Sequence, residues 1–243
     1  MPLPEETLKR HWLTAGSSEL WGTRRSYSAI EYERLPPLDS SLRAAFEWLS
    51  DLPDRDYFWT LENEENRIDG LKEVEEQIDD LGLLLPLDFL LFFTQAELRN
   101  RVPSCTGCFL GLSEEIVPFP DAPGCHALRF MNDSQHCVMW YLLFQPDLPP
   151  RVISSEYFIE PDLFEEMDYE WEGEFDEDDD EIEPLPYEEI LSDIYICAES
   201  FGEFIHRFCI ENTIWYALHD ELPLAQAELD YINAAKASKD GTP

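Results

Sequence analysis

The sequence predicts a protein of mixed helix and sheet, and three observations carry that expectation. Apolar residues recur at helical spacing from Asn66 to Leu81, the spacing becomes extended after Arg101, and a helical spacing returns from Ser200. With 243 residues and 44% apolar content the chain can bury one full core. The expected organisation is therefore an N-terminal extension over residues 1–65, a main domain over 66–236 that carries an acidic insert at 160–186, and a polar tail over 237–243.

In chain order, the first sixty residues offer a short helix near Glu5 to Leu13, a Gly-Ser turn at Gly16 to Ser18, the Pro36-Pro37 break and a helix near Ser40 to Leu49. Ile68, Leu71, Val74, Ile78 and Leu81 then fall at steps of three or four, opposite Glu73, Glu75, Glu76, Asp79 and Asp80, which is the pattern of a packed surface helix. Gly82 suits its end. A second helix follows, with Pro86 near its first turn and Asp88 at its positive end. Cys108 to Leu112, Ala127 to Met131, His136 to Phe144 and Val152 to Phe158 read as strands, with Asn132-Asp133-Ser134-Gln135 as a turn. The third is apolar on both alternating faces, Cys137, Met139, Tyr141 and Leu143 on one and Val138, Trp140, Leu142 and Phe144 on the other, so it is expected to be a central strand covered on both sides. Ser200 and Glu203 have the spacing of a capping box, opening a helix whose stripe is Phe201, Phe204, Ile205, Phe208 and Trp215. A last helix is expected near Pro223, with Ala225, Leu229 and Ile232 inward and polar residues from Lys236.

Charge is the strongest functional signal. The chain carries a formal charge of −37, and from Val152 to His206 it has no lysine or arginine, whereas fifteen of the 24 residues from Glu160 to Glu183 are acidic. Like charges at this density oppose compaction and leave a solvated loop or a surface kept for a basic partner. Aromatic residues are interleaved with the carboxylates, unlike a plain acidic tail. The expected partner surface is Glu165, Glu166, Asp168, Tyr169, Glu170, Trp171, Glu172, Glu174, Phe175, Asp176, Asp178, Asp179 and Asp180. Direct binding to nucleic acid or to an anionic membrane is disfavoured by the same charge. The N-terminus lacks an apolar secretory region and the longest apolar stretch, Leu81 to Phe93, is interrupted by Gly82, Pro86 and Asp88, so a cytoplasmic protein with free thiols is expected.

The helix over Asn66 to Leu81, the string LGLLLPLDFLLFF, the hairpin ALRFMNDSQHCVMWYLLF and the terminal AESFGEFIHRFCIENTIWYAL together resemble the Knr/Smi-like domain of the SUKH superfamily, over Ile68 to Leu218. The resemblance implies an α+β fold with helices packed on a twisted, mostly antiparallel sheet. It also implies a non-enzymatic role: bacterial members are immunity proteins that neutralise secreted toxins, often nucleases, and fungal relatives are adaptors. The chain departs from the family pattern in lacking a glycine in Phe92-Phe93-Thr94-Gln95 and in carrying the acidic insert.

The chemical alternatives are weaker. Cys105-Thr106-Gly107-Cys108, with Cys125-His126 and His136-Cys137, could in principle make a zinc site, but neighbouring residues on a strand point to opposite faces, so each Cys-His pair offers one ligand at most. His136 is expected to be a strand-edge or satisfied core imidazole. An EF-hand starting at Asp176 would need glycine where Glu181 stands and glutamate where Tyr187 stands. No GxSxG, P-loop or GxGxxG occurs. The sequence thus assigns no catalytic, cofactor or metal residue, and two readings stand: an immunity or antitoxin protein for a basic toxin, and an intracellular adaptor whose acidic loop engages several partners.

Overall fold

The computed structural model describes residues 8–15, 27–38, 46–54, 64–120, 122–160 and 191–239. Among them, eight strands form a mixed sheet: β1 (Lys9–Ala15), β2 (Tyr27–Glu31), β3 (Phe109–Leu110), β4 (Val117–Pro118), β5 (His126–Asn132), β6 (Met139–Gln145), β7 (Leu148–Ser155) and β8 (Tyr195–Ala198). Their order is β2-β1-β8-β7-β6-β5-β3, with β4 also on β5. Every pairing is antiparallel except β1 with β8. Helices α1 (Glu64–Asp80), α2 (Leu87–Thr94), α3 (Ala96–Arg99), α4 (Phe201–His219) and α5 (Gln226–Lys239) complete the α+β architecture.

β6 is buried along its whole length, and its alternation divides the core as its sequence requires. Val138, Trp140, Leu142 and Phe144 join Leu71, Val74 and Ile78 of α1, Phe89, Phe92 and Phe93 of α2, and Phe201, Phe204, Ile205 and Phe208 of α4 on one face. Met139, Tyr141 and Leu143 join Val117, Phe119, Ile153, Phe158 and Ile194 on the other. Cys137, expected on that second face, is exposed in the turn before the strand. The turn occupies Asp133 to Val138, with His136 at φ 55°, so the strand starts at Met139 rather than His136. At its far end β7 begins earlier, at Leu148, and it stops at Ser155, because the chain leaves the sheet at Glu156.

Several expectations are corrected. The helix expected over Glu5 to Leu13 is a strand where described: Lys9 and Arg10 pair with Tyr195 and Ile196 of β8, then β1 pairs with β2. The segment has no strong period of its own, and the open edge of β8 supplies the backbone partners that decide the outcome. Trp12, Leu13, Leu35, Phe46 and Leu49 belong to the main core, so the described N-terminal residues are part of the folded body. The helix expected over Ser40 to Leu49 is a 3-10 helix at Phe46–Asp51, its earlier residues lying outside the described ones. Ile68 and Leu81, assigned to the buried stripe of α1, are 39% and 43% exposed, on either side of the buried Leu71, Val74 and Ile78. In α5 Tyr231, Ile232 and Ala235 face inward, whereas Ala225 and Leu229 are exposed: the helix starts at Gln226, three residues past Pro223, which turns its contact face.

α4 is held by more than its apolar stripe. Ser200 accepts the backbone amide of Glu203, as expected of the cap, while Glu203 reaches one residue further back, to the amide of Glu199. Trp12 Nε1 and Tyr231 Oη donate to opposite oxygens of buried Glu211 at 2.7 and 2.8 Å, which ties β1 and α5 to α4. Arg207 donates to the Pro36 carbonyl at 2.9 Å. Such buried polar groups require partners, and each of these contacts joins a segment distant in sequence.

His206 on the same helix packs against Trp48, ring centroids 4.8 Å apart. Burial, and next the Arg207 charge, push its pKa down from 6.5 to about 4. The folded state therefore holds the neutral imidazole, and the unfolded chain binds the proton more readily. Stability from this group is complete above pH 6.5 and is expected to fall as pH drops from 6.5 towards about 4. Equilibrium urea titrations across that window check this, with His206→Phe expected to flatten the fall.

Candidate partner-binding face

The residues from Glu165 to Asp180 that the sequence marks as a partner surface lie outside the described residues. What the structure describes is how the chain enters and leaves the acidic insert. β7 and β8 are antiparallel neighbours, with Ser154 opposite Tyr195, so residues 156–194 connect two adjacent strand ends and both ends of the insert emerge at one end of the sheet.

The entering side is pinned by a buried ionic contact. Glu160 receives the Arg129 Nε–H at 2.7 Å on one oxygen and the Tyr141 hydroxyl at 2.8 Å on the other. The side chains of Arg129 and Glu160 are 12% and 8% exposed. Arg129 and Tyr141 are cross-strand partners on β5 and β6, so two neighbouring positions on one sheet face converge on the carboxylate. Arg129 also donates to Asn132 Oδ1 at 2.9 Å, its guanidinium lies 5.1 Å from the Phe158 ring, and the Ile159 amide donates to the Tyr141 oxygen at 3.1 Å. Burial, followed by the Glu160 charge, holds the Tyr141 phenol well above its ordinary range, so it remains a donor. A register shift between Arg129 and Met131 puts Phe130 and Met131 both on the helical face, leaving Arg129 on the other. On the returning side Ile194 is buried beside Phe158 and Ile159.

The rim of this neck is acidic and aromatic. Burial and then the Asp193 charge raise the pKa of the Glu156 carboxyl, and burial followed by the charges of Asp193 and Glu156 raises that of the Tyr195 phenol. These two carboxylates sit where the two strands part. His11 packs on Tyr195 at 5.1 Å, and the exposed His136 ring lies 5.8 Å from Phe109 and 5.7 Å from Phe158. His136 is thus an exposed turn residue rather than a strand-edge or core imidazole, because the turn bends at its φ of 55°.

The sequence reading missed Arg129, Tyr141 and Glu160. Arg129 was the available signal: it stands alone between Arg101 and Arg151, within an apolar strand, and a buried guanidinium requires a carboxylate. The partner could not be picked from fifteen acids.

A second knot, also unforeseen, fixes β2 to the CxxC turn. Tyr27 Oη donates to Asp133 Oδ2 at 3.2 Å, is hydrogen-bonded with Thr106 Oγ1 at 2.8 Å, and lies 3.4 Å from Cys108 Sγ. Burial pushes the Cys108 thiol up, away from thiolate chemistry. Cys105 packs with Trp215, Cys108 with the helical face and Cys125 with the opposite face, so the sheet separates Cys125 from Cys108. Among the described residues no three His, Cys, Asp or Glu side chains are grouped to hold a metal ion, and no helix is long and apolar enough to cross a membrane.

No family model matches the chain, and neither does any curated protein or solved structure.

Proposed function

We propose that this chain is a non-enzymatic binding protein of the immunity or antitoxin type, which captures and neutralises a basic protein through the acidic, aromatic segment from Glu165 to Asp180. The observation that carries the reading is the neck: the stretch without lysine or arginine connects neighbouring strands, and Glu160 at its entrance is tied to Arg129 and Tyr141. A negative segment joined to a folded sheet suits capture of a basic surface, since its carboxylates steer encounter while Tyr169, Trp171 and Phe175 supply contact area. A toxin that acts on nucleic acid fits this charge, because acid and aromatic residues offer it features of its own substrate. A Knr/Smi-like architecture forms part of the same proposal.

The full chain, used as bait in the cytoplasm of its source organism, is expected to retain a single stoichiometric basic protein. With that protein in hand, replacing Asp176 to Asp180 by the corresponding amides should slow association and flatten its salt dependence, since steered rates reach about 10⁸–10⁹ M⁻¹s⁻¹ at low salt and fall as ions screen them. Trp171→Ala should chiefly speed dissociation. Wild-type kinetics in both variants would remove the segment from the interface, and many weak partners in place of one would favour an adaptor.

A further inference from the structure

The turn from Leu81 to Leu87 presents leucines to solvent where the fold could have buried or replaced them. Leu84 is 79% exposed, Leu87 70% and Leu81 43%, while Leu83 and Leu85 between them pack against the core. The turn is firmly built. Gly82 at φ 67° closes α1, with the Leu83 amide donating to the Ile78 carbonyl at 2.9 Å and the Gly82 amide to the Asp79 carbonyl at 3.0 Å. Asp88 fixes the other side, accepting the Phe89 amide of its own helix and the Gly202 amide at the start of α4.

The charge along the chain on both sides of these leucines is one-sided. Glu76, Asp79 and Asp80 are exposed on the last turn of α1, which has no basic residue, and no lysine or arginine occurs from Glu73 to Leu98. Carboxylates at a helix C-terminus meet the negative end of its dipole, so this arrangement opposes the helix that carries it. A cation placed there would satisfy the helix end and the two aspartates together.

We infer that the Leu81–Leu87 turn is a docking site for a cationic amphipathic segment of a partner protein, with apolar side chains seated on Leu84 and Leu87 and basic ones on Asp79, Asp80 and the end of α1. A second copy of this chain is the wrong occupant, since a symmetric contact would set Asp79 and Asp80 against their duplicates in a chain of charge −37. An anionic lipid surface is opposed for the same reason. The site is separate from the neck: β8 runs from the neck at Tyr195 to Ala198, and Asp88 binds beyond it at Gly202, so the leucines lie towards the other end of that strand.

The test uses the full chain, a synthetic amphipathic Leu/Lys peptide and a Gly/Lys peptide of equal charge, with binding read by calorimetry. Leu84→Ser with Leu87→Ser, both at exposed positions, is expected to weaken the Leu/Lys peptide by about tenfold or more and to leave the Gly/Lys peptide unchanged. Asp79→Asn with Asp80→Asn is expected to weaken the Leu/Lys peptide while raising the melting temperature, a pair of opposite effects that a merely structural role does not produce. The loss caused by Leu84→Ser and Leu87→Ser should persist when Asp176 to Asp180 are amides, which separates this site from the proposed capture segment. Equal affinity for the Leu/Lys peptide in wild type and the leucine variant overturns the inference. So does a dimer, or binding to anionic vesicles, that the leucine variant abolishes.

Discussion

Replacing Trp140 by alanine is expected to destabilise the protein by about 3–5 kcal/mol, the range for truncating a large buried aromatic residue. The side chain is 1% exposed, in the middle of a strand covered on both faces. Its ring lies 5.9 Å from Tyr27, 6.0 Å from Phe204 and 6.3 Å from Phe208, so the cavity would open between β2, β6 and α4 at once. Three separate elements cannot collapse into that space by one local shift, which places the cost high in the range. For a chain of this length the melting temperature should fall by roughly 10 °C. The control is Cys137→Ala, at an exposed position in the preceding turn, expected within about 0.5 kcal/mol of wild type. A Trp140→Ala protein that melts with the wild type would place the indole at the surface and break the division of the core.

That division was legible because the run from Val138 to Phe144 has no charged or amide residue on either alternating face, a pattern that fits a covered central strand. α1 and α4 were legible for the related reason that local spacing and the interior agree: Leu71, Val74 and Ile78 point inward as their period requires, and Ser200 caps where its type and position suggest. β1 was not legible. Lys9 to Ala15 has no strong period, and its structure is set by the free edge of β8, almost two hundred residues away in sequence. Glu211 was hidden for the same reason, as its donors Trp12 and Tyr231 come from segments whose placement no local pattern reveals. In the candidate site the density of charge was plain, but the neck depends on strand adjacency, and the pinning of Glu160 depends on which face of β5 Arg129 occupies after the bulge.

The neck also yields a large expected effect. Arg129→Met keeps most of the stem and removes the guanidinium, leaving Glu160 in its buried position with the Tyr141 hydroxyl but without a countercharge. Breaking a buried pair from one side is expected to cost about 3–5 kcal/mol, because the remaining charge keeps its desolvation penalty and loses its compensation. Adding Glu160→Gln should then recover part of the loss, since the amide removes that stranded charge and can still accept from Tyr141. The double variant is therefore expected to be more stable than Arg129→Met alone, a coupling that urea denaturation of the two single variants and the double variant measures directly. Tyr141→Phe, which removes the donor to Glu160 and the acceptor of the Ile159 amide, should cost about 1–3 kcal/mol. An Arg129→Met cost under about 1 kcal/mol, with no recovery in the double variant, would make the contact an ordinary surface pair. For the proposed capture of a basic protein the consequence is kinetic. Under conditions where Arg129→Met remains folded, the acidic segment keeps its charge and should meet the partner at the wild-type rate, but with its entrance unpinned the complex should dissociate faster.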